Sequence, residues 1–83
     1  MTIQIYSKVN CPQCTMAKQW LDKHYPQRKT DELLLEKDFD RETLFANFPQ
    51  ARSYPQFAIN DLPIGNFSDL QAHLAFELET SDF

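Results

Sequence analysis

Two cysteines stand three residues apart in Asn10-Cys11-Pro12-Gln13-Cys14-Thr15, and the chain of 83 residues holds no others. Thiols at this spacing can exchange with a disulfide, supply part of a metal site, or form a structural cross-link. A zinc site takes about four ligands. No second C-x-x-C is present, and the two histidines, His24 and His73, fall in different predicted helices. No metal site is therefore expected. A cross-link that closes so short a loop removes little entropy from the unfolded chain. Unreactive core cysteines are the remaining plain reading. Thiol exchange is the favoured chemistry, because the pair opens a predicted helix inside a β-α-β pattern.

The position of each thiol sets its role. Cys11 ends a loop at the N-terminal end of that helix, where unpaired N–H groups and the helix dipole favour thiolate over thiol. Cysteines in such places titrate at roughly 3.5–7.5, against about 8.5 when free. Lys8, three residues earlier, adds positive charge nearby. Cys11 is thus the expected nucleophile, and Cys14, one turn inside the helix and more buried, the expected resolving thiol. Cys11 would attack a disulfide sulfur, and Cys14 or an external thiol would release the mixed disulfide.

Two further stretches carry candidate chemistry. In Ser53-Tyr54-Pro55-Gln56-Phe57, a proline opens a predicted strand. Only about 5–6% of X–Pro bonds are cis, so frequency alone favours trans here. In Ile64-Gly65-Asn66-Phe67-Ser68-Asp69-Leu70, the chain's only glycine permits a sharp turn into a helix. The free N–H groups there suit a carboxylate, Asp69 could accept from an ammonium group, and an ordinary helix cap explains the same residues equally well.

The elements that must position these residues are readable from periodicity. Residues 3–6 (IQIY) alternate and read as a strand. Pro12 suits a first helical position, and Cys14, Ala17, Leu21 and Tyr25 form one apolar stripe, so a helix is expected over roughly 12–24, ended by Pro26. Residues 31–36 (DELLLE) read as a buried strand parallel to the first. Asp40 is the expected cap of a helix with Leu44, Phe45 and Phe48 on one face, closed by Pro49. Residues 55–59 form a third strand, and 62–64 a short fourth, where Pro63 suits a sheet edge. The last helix begins near Phe67 or Ser68, with Phe67, Leu70, Leu74 and Leu78 at helical spacing, and its acidic end at 77–83 reads as solvated and fraying. The order β-α-β-α-β-β-α predicts a four-stranded mixed sheet with helices on both faces, one domain over 1–83.

Composition narrows the partners. Twelve acidic against eight basic residues give a net charge of −4, the wrong sign for nucleic acid or an anionic membrane surface. No run approaches a membrane span, and residues 1–11 lack the basic and apolar regions of a secretory signal. A cytoplasmic location is expected, where thiols are kept reduced. Trp20 and the seven Phe read as packing residues.

Taken in order, Lys8-Val9-Asn10-Cys11-Pro12-Gln13-Cys14, Ser53-Tyr54-Pro55-Gln56 and Gly65-Asn66-Phe67-Ser68-Asp69 resemble the glutaredoxins, almost end to end and most of all the small dithiol bacterial and phage type. The resemblance implies a thioredoxin fold and a cis Pro55. It implies a glutathione groove lined by Lys8, Gln13, Tyr54, Pro55, Gly65, Ser68 and Asp69, with Arg52 close enough to contribute. In the family, the backbone before the proline pairs with the cysteinyl part of glutathione. The Ser–Asp pair holds the γ-glutamyl end, and Lys8 would face the glycyl carboxylate. Glutathione would be the electron donor, with no bound cofactor. Disulfide-containing proteins, ribonucleotide reductase among them, would be clients of a monomer. The chain departs from the family pattern at Gln13, usually Tyr, at Asn66, usually Gly, and at Tyr54, usually small and β-branched. A redoxin fed by thioredoxin reductase also carries C-x-Q-C, but typically has a W-S-G-F segment near the last helix, whereas the only Trp here is Trp20. An iron–sulfur-bridged dimer is the third reading.

Overall fold

The computed structural model describes the backbone of residues 2–81 and the side chains of residues 2–76. Strand β1 (Thr2–Ser7) is followed by helix α1 (Pro12–His24), β2 (Lys29–Leu34), α2 (Arg41–Asn47), β3 (Gln56–Ile59), β4 (Leu62–Gly65) and α3 (Phe67–Ser81). The sheet order is β2-β1-β3-β4. β1 and β2 run parallel, and the other two pairings are antiparallel.

Alternation along the strands sorts side chains to two faces. Ile3, Ile5, Phe57 and Ile59 pack with Ala17 and Leu21 of α1 and Leu70 and Leu74 of α3. Ala58 points the other way, into a cluster with Phe39, Leu44 and Phe48 around α2. Tyr6 stacks edge-on against Phe39 and Phe48 in that second layer, ring centroids 5.0 and 5.2 Å apart. β3 is buried along its whole length because it lies inside the sheet with layers on both faces.

Local chemistry fixes the element ends. Pro12 stands in the first turn of α1, and Tyr25 closes it, its N–H donating to the Leu21 carbonyl at 2.8 Å. Asp40 caps α2 by accepting from the Thr43 amide at 2.8 Å. Asn60 and Asp61 take left-handed backbone (φ 50° and 68°) in the β3–β4 turn, a conformation short polar residues tolerate. Their side chains bind back to Thr2 and Gln4 of β1.

Three expectations need correction. β2 spans Lys29–Leu34 rather than 31–36, and it is a half-buried edge strand rather than a buried one. A tight loop takes the next residues: Asp38 accepts from the Leu34 amide at 2.9 Å, while the Lys37 and Asp38 amides both donate to the Leu34 carbonyl. Phe45 does not share the buried face of Leu44 and Phe48; it is 49% exposed. Leu44 and Phe48, four apart, already fill the stripe, and Phe45 lies about 100° around the helix from Leu44. Pro55 precedes β3 instead of opening it. The side chains of residues 77–83, Leu78 among them, lie outside the described residues.

Candidate active site

The loop between β1 and α1 delivers Cys11 as the N-cap of α1, with extended backbone (φ −116°, ψ 96°). Its Sγ accepts from the Cys14 amide at 3.1 Å. Cys11 and Cys14 are joined as a disulfide, their Cα atoms 5.2 Å apart. Cys14 is the more buried of the two, at 2% exposure against 7%. When the bond is reduced, the same amide and the helix N-terminus stand ready to hold negative charge on the Cys11 sulfur.

Three depressions adjoin near Cys11, each with Ser53 in its lining. The first, about 580 Å³, is walled by Lys8, Cys11, Gln13 and Tyr54, with Arg41 and Phe45 from α2 and Arg52 from the loop before β3. The second contains Gln13, Tyr54, Pro55 and Ser68. The third contains Arg52, Gly65, Asn66 and Asp69. The seven residues nominated beside the cysteines are divided among these depressions: Lys8, Gln13 and Tyr54 stand with Cys11, Pro55 and Ser68 in the second, and Gly65 and Asp69 in the third, which Cys11 does not line.

Individual partners explain how these side chains are held. Lys8 Nζ lies over the Tyr54 ring, 5.5 Å from its centroid. Burial pushes the Tyr54 hydroxyl above the usual phenol range; Arg41 opposes that shift and Glu36 adds to it. The Tyr54–Pro55 peptide bond is cis. Gly65 has φ +131°, and a Cβ there would overlap the Asp69 carboxylate. Asn66 and Asp69 form a reciprocal cap at the start of α3. Each side chain accepts from the other's amide, at 3.1 Å to Asp69 and 2.9 Å to Asn66. Asp69 thus serves as an ordinary cap while lining the third depression.

On the other side of the disulfide, Lys18 and Glu32 line a depression with both cysteines. Lys18 Nζ is 2.8 Å from Glu32, which also accepts from the buried Ser7 hydroxyl at 3.1 Å. The Lys18 bond, foremost, holds the Glu32 carboxyl below its usual range. Arg41, Phe45 and Ser53 are residues of the Cys11 depression that sequence reasoning missed. The i, i+4 spacing of Arg41 and Phe45 puts them on one face, but only packing fixes which way that face points. Among the described residues, no group of three or more His, Cys, Asp or Glu could hold a metal ion. No helix there is long and apolar enough to cross a membrane.

Comparison with known proteins agrees with this architecture. A family model described as Glutaredoxin matches residues 3–64. Glutaredoxin 1 from Francisella tularensis, solved with cacodylate, is 27% identical with a TM-score of 0.68, covering 94% of this chain and 96% of that one. Oxidized glutaredoxin 2 from Chlamydomonas reinhardtii is 28% identical with a TM-score of 0.61, covering 90% and 72%. Reduced Escherichia coli glutaredoxin has a TM-score of 0.74 over 95% and 99% of the two chains; at 21% identity it speaks for the fold alone. That fold, a four-stranded mixed sheet with three helices, is the thioredoxin fold. A search of curated proteins finds no match.

Proposed function

Because the chain belongs to the glutaredoxin family and carries its Cys11–Cys14 pair, and so is a thiol–disulfide oxidoreductase, we propose that it draws electrons from glutathione to reduce protein disulfides and glutathione mixed disulfides. The observation that carries this reading is the depression in which Lys8, Gln13 and Tyr54 stand beside Cys11, with Pro55 and Ser68 in one adjoining depression and Gly65 and Asp69 in another. Lys8 stands beside Cys11, and Arg52 and Asp69 share the third depression, so cations and a carboxylate are both at hand for a tripeptide bearing carboxylates and one ammonium group.

In this reading Cys11 thiolate attacks one sulfur of a client disulfide and displaces the other as thiolate. Cys14, after losing its proton, attacks the Cys11 sulfur and releases the second client thiolate. Two electrons leave the protein thiols, and the Cys11–Cys14 disulfide forms. Two glutathione molecules then restore the dithiol and leave as glutathione disulfide. Thiol exchange requires no metal or bound cofactor. A cytoplasmic monomer of one domain, with ribonucleotide reductase among its clients, completes the reading by family resemblance.

The test is NADPH consumption on a glutathione mixed disulfide with glutathione and glutathione reductase, beside a second reaction containing thioredoxin reductase, a protein disulfide and no glutathione. Turnover in the first is expected. Turnover only in the second would assign the chain to the redoxins fed by thioredoxin reductase, which also carry Gln before the second cysteine.

A further inference from the structure

The chain is acidic, yet three of its eight basic residues, Lys8, Arg41 and Arg52, wall one of the two depressions that open on Cys11, the one bounded by Gln13 and Tyr54; Glu32 lies in the other. No carboxylate lines the depression bounded by Gln13 and Tyr54. Among the described residues the ion pair is Lys18–Glu32, so none of the three cations is paired with a carboxylate. Glu36 acts on Tyr54 from outside the cavity, and Asp40, beside Arg41 in sequence, is bound to the Thr43 amide. Phe45, one turn after Arg41, adds a half-exposed aromatic ring to the same wall.

We infer that the wall made by Arg41, Phe45 and Arg52 selects protein clients, taking an acidic, extended segment that carries an apolar side chain beside its reactive cysteine. The inference rests on the oxidoreductase reading and extends it from glutathione to the client. Glutathione has no apolar side chain to cover Phe45, whereas a protein segment does. Burying the exposed part of that ring removes apolar surface from water, at about 25 cal/mol per Å². A positive wall on a negative protein also raises the encounter rate of acidic segments and repels basic ones.

The experiment uses the fully reduced protein without glutathione, so that Cys11 and Cys14 alone supply the electrons. Short peptides closed by one disulfide would differ only in flanking residues: glutamates, glutamines or lysines, each with a Leu or a Ser beside the cysteine. Reduction rates would be read by quenched chromatography at low and raised salt. The Glu–Leu peptide should react about tenfold or more faster than its Lys counterpart at low salt, and the gap should narrow as salt rises. The Arg41→Glu/Arg52→Glu variant should erase or invert the preference, and Arg41→Gln or Arg52→Gln alone should weaken it. Phe45→Ala should slow the Leu peptides more than the Ser peptides, so that the Leu-over-Ser ratio falls towards one. Equal rates for Glu and Lys peptides would overturn the inference, with the oxidoreductase reading intact. So would a preference that survives both Glu substitutions. Failure to reduce any peptide would instead overturn the oxidoreductase reading, and the client preference with it.

Discussion

At the scale of single residues, the chemistry turns on which sulfur receives hydrogen bonds. Cys11 Sγ has the Cys14 amide at 3.1 Å and the start of α1 behind it, whereas Cys14 lies one turn inside and is almost wholly buried. Cys14→Ser should therefore keep activity on glutathione mixed disulfides, which needs one thiol, and lose most direct reduction of protein disulfides. Cys11→Ser should lose both, and the two coupled assays read the difference; activity retained by Cys11→Ser would assign the nucleophile to Cys14. Gly65 is the second residue whose type is dictated by its surroundings. Its φ of +131° and the adjoining Asp69 carboxylate exclude a side chain. Gly65→Ala should cost about 1–3 kcal/mol, seen as a lower urea midpoint with an unchanged slope. The cysteine pair and the glycine turn were legible in the sequence because spacing and a lone glycine carry their own geometry. Arg41 and Phe45 were not, because a seven-residue helix leaves its rotation to the partners it packs against.

At the scale of elements, β2 shows where pattern reading reaches its limit. A run of leucines announces a strand, but burial depends on whether another strand lies beyond it, and β2 is the edge. Its solvent side is tied to α1 by Lys18 and Glu32, with Ser7 of β1 as a second donor to the carboxylate. The folded-state pKa of Glu32 is lowered, first by the Lys18 hydrogen bond. Its charge therefore contributes stability above the ordinary glutamate range, and that contribution is lost as pH falls through the lowered value. Both side chains are about a third exposed, at 36% and 34%, so solvent screens the pair. Glu32→Gln, which keeps an acceptor for Ser7, should cost about 0–1 kcal/mol near neutral pH. The difference from the parent should shrink towards zero in strong acid, followed by urea unfolding at several pH values. A difference that is constant with pH would show that the charge contributes nothing.

At the scale of the whole molecule, one sheet serves two apolar layers, and β3 belongs to both. Phe57 and Ile59 face α1 and α3, while Ala58 faces α2. The helical layers were legible because each helix carries an apolar stripe. The sheet order was not, since hydrophobic period says which face is buried and nothing of which strand is the neighbour. Sharing a strand has a mechanical consequence: neither layer can loosen without disturbing β3. That is the physical ground for expecting residues 1–83 to unfold as one domain, at about 0.05–0.15 kcal/mol of stability per residue. Trp20 reports on the first layer, packed against Phe67 with ring centroids 5.3 Å apart. Leu44 belongs to the second. Leu44→Ala should cost about 2–5 kcal/mol, and the loss should appear at full size in Trp20 fluorescence although the deleted methyl groups lie across the sheet. Far-UV circular dichroism should give the same midpoint, as two-state unfolding requires. If the fluorescence midpoint stays where it was while the dichroism shifts, the layers unfold separately. The depression at Cys11, which draws Arg41 and Phe45 from one layer and Cys11 from the other, would then depend on a joint that can open.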